Sequence, residues 1–172
     1  MVMAEEKQAI VFVRDEISEL ILLVATEKGA FLYYSDSDRR HWDVNGPHFL
    51  GSVVHHLVLD PRDNKTLLAS VQSRQSGVTI YWSKDFGKTW NPATKPPVFP
   101  QDKHKRKVDH IYYLTPGHDS EGKVWYAGTS PQGLFRSEDG GDTWASVEGF
   151  NSNSNWAKWT ANSPEGYPKV PK

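Results

Sequence analysis

The octet Ser83-Lys84-Asp85-Phe86-Gly87-Lys88-Thr89-Trp90 returns 54 residues later as Ser137-Glu138-Asp139-Gly140-Gly141-Asp142-Thr143-Trp144, with five of eight positions identical in the pattern S-x-D-x-G-x-T-W. A repeat at such spacing constrains a fold more than composition does, because it marks a supersecondary unit that was copied whole. The same offset carries His56-Leu57 onto His110-Ile111 and Tyr81 onto Phe135, so the copied unit extends well beyond the octet. A third, eroded copy runs from Ser35 to Trp42 and has Ser37, Arg39 and His41 where the others have Asp, Gly and Thr. Its Trp lies 48 residues before Trp90, which sets the period at 48 to 54.

Within each unit the apolar spacing is that of strands, and Pro, Gly, Asn and Asp punctuate the turns. Unit one offers Ala9–Val13, Leu20–Ala25, Gly29–Tyr34 and Trp42–Val44; unit two offers Val53–Leu59, Thr66–Val71, Val78–Trp82 and an exit strand from Thr89. Unit three offers Val108–Leu114, Lys123–Ala127, Gly133–Arg136 and Trp144–Val147. Each unit reads as a four-stranded meander, which gives an all-β chain of three propeller blades at about 9–46, 53–94 and 108–149, followed by an irregular tail at 150–172. Propellers close with 4 to 8 blades. Three units therefore imply part of a larger ring, completed by a longer chain or by self-association, and two apolar blade faces left open.

Composition excludes several other classes. There is no cysteine, so disulfide scaffolds and thiolate chemistry are ruled out. The net charge of −1 supplies no field for nucleic acid. The longest apolar stretch, Leu20–Ala25, is far too short to span a bilayer, and the amino terminus lacks the basic start of a secretory signal, so the expected location is cytoplasmic.

The octet has a folding rationale at every repeated position. Asp85 and Asp139 are placed to accept backbone N–H groups across a hairpin loop, and Gly87 and Gly141 allow a positive φ. Ser83, Ser137, Thr89 and Thr143 close the remaining loop bonds, and Trp90 and Trp144 drive into apolar space between blades. Repetition itself favours architecture over catalysis, since an active site is normally built once.

This pattern resembles the Asp-box, or BNR repeat, of sialidases, related glycoside hydrolases, sortilin-type receptors and photosystem II assembly factors. Gly46-Pro47-His48-Phe49, Val54-His55-His56-Leu57, Asp60-Pro61-Arg62-Asp63 and Gly133 to Gly141 extend the likeness to the N-terminal half of bacterial sialidase-like proteins. The resemblance implies a propeller of about seven blades, with the octets at its periphery. It would also imply a sialidase's arginine triad, but the Phe-Arg-Ile-Pro motif is missing and none of Arg14, Arg39, Arg40, Arg62, Arg74, Arg106 and Arg136 stands in a matching context.

Function is therefore expected at the axial face, as a non-catalytic scaffold for a carbohydrate or protein ligand. A part of a sialidase-like glycoside hydrolase, drawing its carboxylates from Asp60, Asp63, Asp109, Glu148 or Glu165, is the alternative. An assembly factor of the photosystem kind is the second. His55, His56 and His110, with His48 near them, are the candidate ligand-facing imidazoles. Strand alternation predicts that His55 and His56 point to opposite faces. Trp156 and Trp159 are candidate stacking residues, and Lys103 to Lys107 is a basic run read as a solvated loop. No metal site and no cofactor is expected.

Overall fold

The computed structural model describes residues 20–100 and 106–155, which form three antiparallel sheets. Sheet 1 holds β1 (Leu20–Thr26), β2 (Gly29–Ser35) and β3 (Trp42–His48). Sheet 2 holds β4 (Val53–Leu59), β5 (Leu67–Ser73), β6 (Gly77–Ser83) and β7 (Asn91–Pro92). Sheet 3 holds β8 (His110–Pro116), β9 (Trp125–Ser130), β10 (Gly133–Ser137) and β11 (Ala145–Ser146), and a helical turn α1 (Glu148–Asn151) follows it. Strands within each sheet lie in chain order, the arrangement that short hairpins impose. The architecture is all-β, a partial set of propeller blades. The expected opening strand Ala9–Val13 lies outside the described residues, so sheet 1 has three strands among them. Trp90 and Trp144 stand just before the two-residue exit strands rather than within them.

Strand register exposes the repeat residue by residue. Ser35, Ser83 and Ser137 pair with Leu20, Leu67 and Trp125. Two positions further in, the rows Leu22–Tyr33–Val44, Ala69–Tyr81–Pro92 and Ala127–Phe135–Ser146 are equivalent. The match of His56 with His110 fails this test. Leu59 pairs with Leu67 and Pro116 with Trp125, so His55 matches Tyr112 and His56 matches Tyr113. The reason is loop length: the β9–β10 hairpin is four residues shorter than β5–β6, and the turn before β9 is one residue longer than that before β5.

The cores lie between the sheets. Along β5, Leu67, Ala69 and Val71 enter a core shared with Ala30 and Leu32 of sheet 1. Leu68, on the other face, enters a core shared with Ile111, Trp125 and Phe135 of sheet 3. Ser70 on that second face is fully buried and donates its hydroxyl to the Ile111 carbonyl at 2.7 Å. A strand covered on both faces has no polar side to present, which is why Leu67 to Val71 is an unbroken buried run. Each large apolar side chain buried there contributes about 1.5–3 kcal/mol.

The octet glycines serve this packing as well as the turn. Gly87 and Gly141 adopt φ +77° and +100°, and a Cβ on them would meet Leu32 of sheet 1 at 3.3 Å and Leu68 of sheet 2 at 2.8 Å respectively. Each loop thus presses onto the preceding sheet. The eroded copy keeps the backbone shape, with Arg39 at φ +56° in the glycine position. On the outer face of sheet 3, Thr115, Tyr126 and Arg136 form a cross-strand row where sheet 2 has Val58, Leu68 and Trp82, so that row is more polar than its counterpart.

Candidate functional site

In the octets, Ser83 Oγ donates to Asp85 at 2.7 Å and accepts the Gly87 N–H at 2.8 Å. Asp85 then accepts the Thr89 N–H at 2.9 Å and the Thr89 hydroxyl at 2.6 Å. Ser137, Asp139, Gly141 and Thr143 repeat these contacts at 2.8, 2.9, 3.0 and 2.5 Å. Partial burial pushes the Asp85 carboxyl upward, but donation from Thr89 and Ser83 outweighs it and brings the value down to about 2. Asp139 is lowered by the same balance, with donors from Thr143 and Ser137. The folded carboxylate of Asp85 holds its proton less tightly than an unfolded one near 3.9. Its stabilisation is therefore complete above about pH 4 and disappears as pH falls through about 2. Asp85→Asn is expected to lower stability at pH 6 by about 1–2 kcal/mol, and the gap between variant and wild type should close in melts at pH 2.

Two carboxylates in the turn after β4 are similarly engaged. Asp60, buried, accepts Arg62 in a two-pronged pair at 2.8 and 2.7 Å. Arg62 also donates to the Glu121 and Val124 carbonyls of sheet 3 at 2.9 and 3.1 Å and lies over the Trp125 ring, so it rivets sheet 2 to sheet 3. Asp63 accepts the Lys65 and Thr66 N–H groups and the Thr66 hydroxyl. Burial would raise its pKa, yet these donors hold it below the ordinary value. Both loop carboxylates are thus committed to architecture, while Asp109 and Glu148 are exposed and Glu165 lies outside the described residues.

The imidazoles behave differently. The β4–β5 pairing skips His55 and the β8–β9 pairing skips Tyr112, so each first strand carries a one-residue bulge at the equivalent place. A bulge breaks the alternation of faces. His55 and His56 consequently both reach β8 instead of pointing to opposite sides. His55 lies edge-on to His110 and Tyr112, with ring centroids 4.9 and 5.6 Å away, and His110 stacks on Tyr112 at 5.3 Å. His55 Nε2 lies 3.0 Å from Gln72 Oε1, a hydrogen bond that anchors the ring to β5. His56 stacks on Tyr113 at 4.9 Å and accepts the Leu114 N–H on Nδ1 at 3.1 Å, and burial lowers its pKa. Tyr112 and Tyr113 remain 54% and 59% exposed. The result is a half-buried aromatic and imidazole cluster where β4 and β8 begin, able to stack on a ring and to donate and accept hydrogen bonds.

His48 is not part of it. Its Nδ1 accepts the Trp90 indole N–H at 3.3 Å, its ring packs on Phe49 and Trp90, and burial lowers its pKa. Arg106, from the basic run, stacks on Phe99 and donates to the Asn151 carbonyl at 2.7 Å. Lys103 to Lys105, Trp156 and Trp159 lie outside the described residues. Sequence reasoning missed Gln72, Tyr112 and Tyr113; adjacent tyrosines in a strand that otherwise alternates were the available signal. It also passed over Asp142, which accepts the Thr94 N–H at 3.1 Å and the Trp82 indole at 3.4 Å and so latches the third octet to sheet 2. Among the described residues no group of three or more His, Asp or Glu is placed to hold a metal ion, and no helix is long and apolar enough to cross a membrane.

No protein-family model matches the chain. A xyloglucanase from Paenibacillus sp. is 32% identical over 112 residues, covering 57% of this chain and 10% of that protein. The crystal structure of the GH74 xyloglucanase from Xanthomonas campestris matches with a TM-score of 0.50 at 19% identity, covering 68% of this chain and 19% of that one. The chain therefore spans a small fraction of either relative, has the fold of β-propeller blades, and is similar to β-propeller glycoside hydrolases.

Proposed function

We propose that this chain is a carbohydrate-binding portion of an Asp-box propeller of the glycoside hydrolase kind, and that it takes a neutral, β-glucan-like polysaccharide such as xyloglucan. The observation that carries the reading is the doubled bulge, which turns His55, His110 and Tyr112 toward one another at the start of two neighbouring first strands. Sugar rings present C–H faces to aromatic rings and hydroxyls to imidazoles, and the cluster offers both. The 32% identity to a xyloglucanase over 112 residues supports this choice of ligand class. The role assigned to this segment is binding rather than cleavage. Hydrolysis needs two carboxyl groups roughly 5–10 Å apart across the scissile bond, whereas Asp60, Asp63, Asp85 and Asp139 are held in loop contacts.

Calorimetric titration with a xyloglucan oligosaccharide tests the proposal. Tyr112→Ala and His55→Ala should each weaken binding about tenfold, the equivalent of 1.4 kcal/mol, with the melting transition of each variant still cooperative. Binding that neither substitution changes, or a wild-type chain that takes up no oligosaccharide at millimolar concentration, would refute it.

A further inference from the structure

The tyrosine pair of β8 is held from outside its own sheet. β8 is an edge strand of sheet 3, and two side chains of sheet 2 reach its backbone. Ser70, fully buried, donates its hydroxyl to the Ile111 carbonyl at 2.7 Å, and His56 Nδ1 accepts the Leu114 N–H at 3.1 Å. These anchors stand immediately before and after Tyr112-Tyr113, where the bulge interrupts pairing with β9. The two differ in one chemical respect. A hydroxyl can donate at any ordinary pH, whereas an imidazole nitrogen accepts only while it carries no proton. Once Nδ1 is protonated, two donors face each other and the second anchor is gone.

The surroundings do nothing to favour the charged ring. β4 packs against β1, β2, β5 and β8. The titratable side chains on those strands are Tyr33 and Tyr34 of β2 and His110, Tyr112 and Tyr113 of β8, with His55 on β4 itself; there is no Asp, Glu, Lys or Arg on any of the five. The exposed Asp109 precedes β8, at the end away from Leu114. Burial lowers the His56 pKa. An unfolded imidazole near 6.5 takes up its proton more readily than this one. The contact is therefore complete above about pH 6.5 and is lost as pH falls through the lower folded value.

We propose, building on the reading of this cluster as a carbohydrate site, that His56 is its positioning residue: the neutral imidazole holds Tyr112 and Tyr113 in the binding arrangement, and mild acid releases them and the ligand with them. His48 offers a comparison at the other junction, because its Nδ1 accepts the Trp90 indole N–H between sheets 1 and 2 and burial lowers its pKa too.

Calorimetric titration with a xyloglucan oligosaccharide at two pH values provides the test. The sugar is neutral and has no group that titrates in this range, so a change in affinity belongs to the protein. Wild-type affinity should fall about tenfold between about pH 7.5 and about pH 5, with cooperative melting at both. His56→Asn places an amide oxygen, an acceptor that does not titrate, near the position of Nδ1. It should bind within about threefold of wild type at the higher pH and keep that affinity at the lower one. His56→Leu should bind about tenfold more weakly at both, and His48→Asn should lose affinity in acid as wild type does. In the ligand-free wild type, the Leu114 amide resonance should shift with the same midpoint as the His56 ring protons. Wild-type affinity that is equal at both pH values, an acid loss that persists in His56→Asn, or a Leu114 amide that ignores the His56 titration would overturn the role of His56 and leave the sugar site standing. A wild type that takes up no oligosaccharide at either pH would refute the sugar site and the role of His56 together.

Discussion

Arg62→Ala is expected to lower the unfolding free energy by about 3–5 kcal/mol, read from urea melts at neutral pH. The size comes from what is left behind rather than from the pair itself. The Asp60 side chain is 4% exposed and that of Arg62 7%, so removing the guanidinium strands a carboxylate where water does not reach. It also takes away one of the two donors of each of the Glu121 and Val124 carbonyls, which face the same guanidinium from the turn before β9 and otherwise keep the Val124 and Gly117 N–H groups. The double substitution Asp60→Asn with Arg62→Met should recover most of the loss, because a neutral, well-filled site escapes the desolvation of two ions. If Arg62→Ala costs no more than an exposed ion pair, under about 1 kcal/mol, Arg62 is not the rivet between sheets 2 and 3 described above.

The second large effect is a graded one. Trp42, Trp90 and Trp144 occupy the same position in three sheets, and their surroundings differ. Trp144 is 3% exposed and donates its indole N–H to the Gly141 carbonyl at 2.9 Å. Trp90 is half-buried among His48, Phe49 and Tyr81, and Trp42 stands at the open face. Truncation to Ala should therefore cost about 3–5 kcal/mol at Trp144, about 2–3 at Trp90 and within about 1 at Trp42, measured at low concentration. One side chain type and one loop geometry are held constant, so the order reports burial against the preceding sheet. An equal cost at all three positions would mean that the tryptophan stabilises its own loop instead.

What the sequence made legible was whatever is local. The bonds from Ser83 to Asp85 and from Asp85 to Thr89 span two and four residues, so residue type and spacing suffice to anticipate them. The strands of sheets 2 and 3 were legible for the same reason, since turn residues bracket each apolar run. Properties that depend on register were not. A fixed offset of 54 puts His110 opposite His56, and only the unequal hairpins reveal that Tyr113 belongs there. The bulges at His55 and Tyr112 are hinted at only by the paired like residues His55-His56 and Tyr112-Tyr113, yet they decide which imidazoles meet. The polar row of sheet 3 was legible in principle, because Thr115, Tyr126 and Arg136 stand where Val58, Leu68 and Trp82 do. Recognising it requires the pairing of three strands at once.

The Ser-Asp-Thr bonds of each octet begin and end within eight residues and ask nothing of the surrounding protein. A gene segment encoding one sheet therefore carries its own turn instructions wherever it is inserted, and a duplicate can fold before its neighbours have adapted to it. Adaptation then falls on the few side chains that cross between sheets, such as Asp142 and Arg62, where two copies of one unit have the most freedom to diverge.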